Sequence, residues 1–312
     1  MRATLTLCVA LAAAATPSFG QDVSAADFAA WAARNDYEPS RDFRSYLDIS
    51  PGNMGPNALP VFGTVRGQVD TAASFGVSLH THWAPGDRAT DIGLAAKHPF
   101  GRRASLRVSY LLREWYRYDE SVALSRNTVR GAGRGSAAGD VYVDALFQVL
   151  AERRKQPGVV LSARIKTASG GDVEAMRFTD TPGYAFDVSA GRSFRTDRLS
   201  WRPYAALGFY VWQRFGQDNP QNDAFTYAGG VQLTGLRSDG KGASFVASAE
   251  VAGYIGYTEQ ADAPAVLRAE GSYSLGANAQ LRLGLRVERG LHDWDYTSAG
   301  LRLGYTLPGR VR

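Results

Sequence analysis

His80 and His82 stand two residues apart, with Ser78 just before them, in the stretch SFGVSLHTHW. On an extended chain that spacing puts all three side chains on one face. Two imidazoles there could hold a metal ion, or one could activate a hydroxyl. Either chemistry needs a further partner, a third ligand or an acid that orients the base. No neighbouring motif supplies one, so the pair reads equally as two polar residues lining a strand face. The glycine-rich RGAGRGSAAG has neither the strand before it nor the helix after it that a phosphate loop requires. It reads as a surface loop. What remains for chemistry is a long series of charged residues at every second position.

GVVLSARIKTASGG, from Gly158 to Gly171, shows the pattern. Val159, Leu161, Ala163 and Ile165 share one face, while Ser162, Arg164 and Lys166 share the other. The same alternation puts His80, His82, Arg107, Arg113, Asp140, Asp144, Arg164, Lys166, Asp187, Glu250, Arg268, Glu270, Arg282, Arg286 and Arg302 on a polar face. In a soluble sandwich that face would meet bulk water, whereas in a membrane barrel it lines a lumen and the apolar face meets lipid. A charge enclosed in a barrel must be paired or stay wet, because burying it alone costs several kcal/mol. Two roles follow. The charges form a ladder of ion pairs that props the wall, or their cationic surplus lines a path that favours anionic solutes.

The elements that carry these residues number about twelve, each close to the length a tilted strand needs to cross a bilayer. They centre on residues 75–83, 92–96, 106–112, 141–149, 159–165, 184–190, 201–211, 225–233, 245–257, 265–275, 281–287 and 299–307. The two longest connections, YDESVALSRNTVRGAGRGSAAG and SGGDVEAMRFTDTP, fall at odd positions in the series. Short polar turns such as HPFGRR, ERRKQPG and RTDR fall at even ones. Long outer loops and short inner turns are the asymmetry of a bacterial outer-membrane barrel. Trp83, Tyr116, Trp201, Tyr257 and Tyr296 sit near strand ends and are expected to form interfacial girdles.

The first 20 residues, MRATLTLCVALAAAATPSFG, combine a cation, a short apolar run and small residues before Gln21. They read as a secretory signal peptide. Cys8 in that leader is the sole cysteine of the 312 residues, so thiolate metal sites, disulfides and cysteine nucleophiles are excluded from the exported chain. Residues 21–73 open with a helix-like SAADFAAWAARN capped by Ser24, then run into a Pro/Gly/Asn-rich stretch that suits neither helix nor strand. This segment is expected to lie in the periplasm or to dock into and plug the lumen, with the barrel itself spanning residues 74–308. The net charge of +5, from 35 cations and 30 anions, is spread along the chain and gives no argument for nucleic acid. A mean hydropathy of −0.24 does not oppose membrane residence, since only alternate residues of a barrel strand face lipid.

Two patches resemble known proteins. GDVYVDALFQVL followed by GVVLSARIKTASGG is similar to outer-membrane barrels associated with phenol-degradation (meta-pathway) operons. The likeness is carried by Gly139, Asp140, Lys166, Thr167 and Gly170, with Ala168 where that outline has a proline. GNMGPNALPVFG, Gly52 to Gly63, resembles a segment ahead of the first strand in exported barrel proteins of Gram-negative bacteria. The resemblance covers about a quarter of the chain and implies transport of small, often hydrophobic compounds. One departure is that Tyr305 is followed by TLPGRVR, so the aromatic residue such barrels present to the assembly machinery is not terminal here.

The expected protein is therefore an all-β, antiparallel up-and-down transmembrane barrel of the bacterial outer membrane. It is expected to be a channel or transporter for small, hydrophobic or anionic molecules. A closed structural or surface-interaction barrel and a lipid-modifying barrel enzyme are the alternatives. The expected partners are outer-membrane lipid, small solutes and the barrel-assembly machinery during insertion. No cofactor, metal or catalytic residue is expected.

Overall fold

A computed structural model describes residues 23–215, 221–236, 243–257, 262–275 and 280–308; the signal peptide expected over residues 1–20 lies outside them. Fourteen strands follow in chain order. They are β1 (Ser74–Ala84), β2 (Asp87–Phe100), β3 (Ala104–Tyr118), β4 (Gly133–Ala137), β5 (Val141–Leu150), β6 (Gly158–Lys166), β7 (Gly183–Gly191), β8 (Phe194–Arg195), β9 (Leu199–Gln213), β10 (Gln221–Leu236), β11 (Ala243–Gly256), β12 (Ala265–Leu275), β13 (Leu281–His292) and β14 (Thr297–Thr306). Twelve of them form a closed antiparallel barrel, with each strand paired to its neighbour and β14 returning to β1 from Ser74↔Thr306 to Trp83↔Thr297. β4 extends the wall beside β3, and β8 adds a short pairing to β9. Closure leaves no edge whose amides would be stranded in hydrocarbon. All twelve strands expected from alternation are present.

The sense of the alternation is also as expected. Leu161, Ile165, Leu207 and Leu285 point outward, with Leu285 62% exposed, while Arg164, Lys166, Arg268 and Glu250 point inward and are buried. An exterior this apolar is stable only against lipid. No helix is long and apolar enough to cross a membrane, which says nothing against a barrel that crosses with strands.

One irregularity inverts the alternation. Between β2 and β3 the register slips, so that Ile92 faces Arg113 while Gly93 faces Leu111. The extra residue of this bulge exchanges the faces beyond it. Arg113, expected in the lumen, instead shares the outward face with Ile92 and is exposed. Glu114, Tyr116 and Tyr118 turn inward and are buried, and Trp115 turns outward at 51% exposure. The girdle expectation changes accordingly. Trp83, Trp201 and Tyr257 are exposed on the exterior, whereas Tyr116 and Tyr296 are buried inside.

The wall is uneven in height. β3, β9 and β10 run 15, 15 and 16 residues, whereas β5, β6 and β7 run 10, 9 and 9. Above these short strands the connections over 119–140 and 167–182 complete the wall, so this is the long-loop end of the barrel. The first connection holds the helix α2 (Glu120–Ser125), capped by the Asp119 carboxylate on the Val122 amide. By the usual asymmetry the long-loop end is extracellular.

The segment before β1 lies largely inside the wall. Its helix, α1 (Ala25–Arg34), begins at Ser24, whose hydroxyl accepts from the Asp27 amide. It docks at the long-loop end, where the Trp31 indole donates to the Asn127 carbonyl over 3.1 Å. The chain then descends through the lumen and joins β1 at the short-turn end. Leu47, Ile49, Met54, Leu59 and Val61 pack against Tyr210, Trp212, Tyr254, Trp294 and Tyr296 of the barrel. The main apolar core of this protein is therefore inside the barrel, at its long-loop half.

Candidate permeation path and the strap that fills it

Residues 43–69 form an irregular strap. Apart from single 3-10 turns at Phe43–Tyr46 and Pro51–Asn53, Pro and Gly keep it out of helix and sheet, so most of its backbone polar groups have no ladder of their own and need partners from the wall. The wall supplies them one by one. Trp212 donates to the carbonyl of Ile49 and Tyr254 to that of Leu59. Arg268 donates to the carbonyls of Val61 (2.8 Å) and Phe62 (3.2 Å). Arg202 donates to those of Arg66 (2.7 Å) and Gly67 (3.3 Å). In the other direction, the Met176 carbonyl accepts from Gly55, Gln148 Oε1 from Val69 and Ser189 Oγ from Gly67. Guanidinium groups that alternation alone assigns to a water-filled lumen thus divide their donors between wall carboxylates and main-chain oxygens of the strap.

Near the short-turn end the strap touches the wall backbone to backbone. Gly158 and Gly191 are paired across β6 and β7, and Gly67 lies on them with φ +69. A Cβ at Gly67 would fall 2.3 Å from the Gly191 nitrogen and 2.6 Å from the Gly158 oxygen. Only glycine fits all three positions. Just above this contact a small cavity of about 30 Å³ separates Phe62–Val65 from Ser162, Asp187, Ala206 and Ala252.

The inward charges sort into networks. Asp144 binds Arg164 and, at 3.0 Å, Arg107. Asp140 binds Lys166 at 2.8 Å, and the ammonium also donates to Thr179 Oγ1 (2.6 Å) and the Thr181 carbonyl (2.8 Å), all fully enclosed. Arg268 bridges Glu250 (2.6 Å) and Glu288 (2.5 Å). Glu270 receives Arg66 of the strap (2.8 Å) and Arg286 (3.8 Å). Asp187 accepts from Thr226 at 2.8 Å. Arg164 also lies over the ring of strap residue Phe62, 4.1 Å from its centroid. Arg282 and Arg302 have no carboxylate partner among the described residues, and Arg302 is exposed to the lumen.

His80 and His82 meet in a separate node. Both donate toward Asp91, at 3.1 Å and 2.7 Å, and Asn57 of the strap donates to the same carboxylate at 3.0 Å. The other nitrogen of His82, Nδ1, lies 2.6 Å from Ser298 Oγ. The order serine, histidine, aspartate is that of a hydrolase triad, but His82, Ser298 and Asp91 are all buried and the cavity does not reach them. Asp91 serves three donors at once, which is the work of a structural junction.

Several residues of these networks had no sequence signal. Arg177, from the loop over 167–182, is wholly buried between Asp87 and Glu114, both at 2.7 Å, and lies over the Tyr116 ring. A loop has no periodicity to betray an inward arginine. Glu114 was hidden by the bulge, which also turned Tyr116, expected in the girdle, inward. Asn57 and Arg66 belong to the strap, where alternation does not apply.

No protein-family model matches the chain, and no curated protein does. Solved structures do match. The COG4313 outer membrane channel from Pseudomonas putida F1 superposes with a TM-score of 0.50 at 11% identity, over 79% of this chain and all of that one. The KdgM porin (TM-score 0.45, 11% identity) covers 75% of this chain and 99% of its own. The NanC porin (TM-score 0.46, 11% identity) covers 75% of this chain and 100% of its own. Identities this low show the fold alone. Together with the apolar exterior, that fold makes the protein a bacterial outer-membrane β-barrel.

Proposed function

We propose that the protein is a passive outer-membrane channel for small solutes, obstructed by residues 43–69. The observation that carries this reading is how the strap is held. Below its apolar contacts at the long-loop half, it is held in a twelve-stranded polar wall by side-chain to main-chain hydrogen bonds from Arg202 and Arg268, each of which water can replace at a net cost of about 1.5–3 kcal/mol because the donor is charged. A barrel closed for strength alone would gain more from wall-to-wall side chains than from a removable segment. The short resemblance to phenol-degradation barrels favours small organic compounds as solutes. Lipid around the outward face, assembly machinery during insertion and export through residues 1–20 complete the same reading. We take the Ser298–His82–Asp91 row as structural and the protein as a non-enzyme.

An engineered lock tests this. The exported chain has no cysteine of its own. Gly52 donates its amide to Asp262 Oδ2 over 2.5 Å, so Gly52→Cys with Asp262→Cys places two thiols within bridging reach. In planar bilayers the reduced pair is expected to conduct like the native chain, and the oxidised pair to be held shut. If native, reduced and oxidised proteins are all silent, the closed structural barrel is the correct reading.

A further inference from the structure

The strap covers only part of the wall. At the short-turn half it runs along β5, β6, β7 and β9, leaving the wall from β13 through β14, β1 and β2 to β3 open to the lumen. The inward positions there alternate between two kinds of residue. Gly284, Gly304, Gly76, Gly93, Ser78 and Ala95 are small, and the register sets them side by side. A Cβ at Gly304 or Gly284 would meet its neighbours only at ordinary van der Waals distance, 3.9 and 3.5 Å, and one at Gly76 would lie 3.4 Å from Arg302 Nε, so the floor is low and the Arg302 guanidinium stands over part of it. Around the floor stand Lys97, Arg107, Arg282, Arg286 and Arg302.

Three of these cations already have acids. Lys97 binds Asp70, Arg107 binds Asp144, and Arg286 binds Glu288 (2.7 Å) and Glu270. Arg282 reaches only the Ser274 hydroxyl, at 3.2 Å, and Arg302 makes no hydrogen bond or ion pair among the described residues. Arg302 pairs in register with Ser78 and Gly284, so it rises from the middle of the floor. The guanidiniums of Arg302, Arg282, Arg286 and Arg107 repel one another, and Glu270, the acid that faces Arg302, is already bound by Arg66 and Arg286 and does not relieve all of that. A ligand with two or more carboxylates would, through the paired N–H donors each guanidinium presents.

We propose that this chamber binds a small organic anion carrying two or three carboxylates. The proposal rests on the channel reading for the solute's route to the chamber, but binding itself does not require conduction. A monoanion would leave one guanidinium unmatched, and a neutral solute both. Enclosure by a low-dielectric wall strengthens each contact over its value in bulk water, and added salt weakens it.

Citrate is the probe, with maltose as the uncharged control, titrated calorimetrically into the full exported chain in non-ionic detergent at low salt. Citrate is expected to bind saturably and maltose not at all. Arg282→Ala with Arg302→Ala is expected to weaken citrate binding about tenfold or more, whereas Arg282→Lys with Arg302→Lys stays much closer to the native affinity. Gly304→Leu, which fills the floor without touching charge, is expected to weaken it as well. Heat-modified gel mobility confirms that each variant is a folded barrel. Native citrate affinity in the double-alanine variant overturns the site, as does equal binding of maltose. Conductance from the same preparations separates the two ideas. A silent bilayer with native citrate binding sinks the channel and keeps the site; a conducting barrel whose citrate binding ignores the substitutions keeps the channel and sinks the site.

Discussion

The wall from β5 to β9 and the wall from β13 through β1 to β3 carry the same two-residue alternation, yet they enclose opposite environments. On the first, Arg164 and Arg202 are buried, Arg164 matched by Asp144 and Arg202 by Glu152 together with strap carbonyls. On the second, Arg107 keeps 43% of its side chain exposed and Arg286 33%. The difference is not in the cations, which are the same residue type. It lies in what stands opposite them. An extended segment without its own ladder offers a row of free carbonyls, and where it passes, guanidiniums already paired with a carboxylate have their remaining N–H donors satisfied without water. Where it does not pass, glycines leave room and the cations stay in water. A lumen can therefore be core on one side and solvent on the other with no change of pattern in the strands.

Substitutions on the two sides sharpen or break that contrast, read as urea unfolding of the barrel. The largest expected loss is at Lys166→Met, which leaves Asp140 buried without its cation and should cost about 3–5 kcal/mol. Gly67→Ala follows, at roughly 1–3 kcal/mol for a side chain in a left-handed conformation, with backbone contacts at 2.3 Å added. The same variant is expected to raise bilayer conductance, because the strap must lift off Gly158 and Gly191. Ser298→Ala removes one buried hydrogen bond to His82 and should cost ~1 kcal/mol, with no change in reactivity toward serine-directed fluorophosphonates. Smallest of all, Gly304→Ala makes only ordinary van der Waals contacts, none closer than 3.9 Å, and should stay within about 0.5 kcal/mol of the native chain. If Gly304→Ala proves as costly as Gly67→Ala, the two walls are not different and the contrast is lost.

The bulge in β3 shows where reading the sequence stopped. Arg107 and Ser109 follow the inward phase, and extending it makes Arg113 inward too. One inserted residue reverses it, and Arg113 ends beside Ile92 on the outside. The sequence LLREWYRY has charged and aromatic residues in both phases, so hydrophobicity does not mark the slip. Arg177 was out of reach for another reason. It acts from a loop, and its partners Asp87 and Glu114 come from two different strands.

Alternation along each strand is a local property, set by the pleat, and it was enough to establish twelve strands, their faces up to the bulge in β3, and a barrel in a membrane. A proline- and glycine-rich composition, likewise local, was enough to keep α-helix and strand out of Ile49–Gly67, where the structure has only the 3-10 turn Pro51–Asn53. Which cations are dry and which are wet is not local. It depends on the course of residues 43–69 through a closed wall, where Gly67, Gly158 and Gly191, far apart in sequence, let two backbones touch. Only the folded chain brings those three glycines together, and with them decides which side of the lumen stays open.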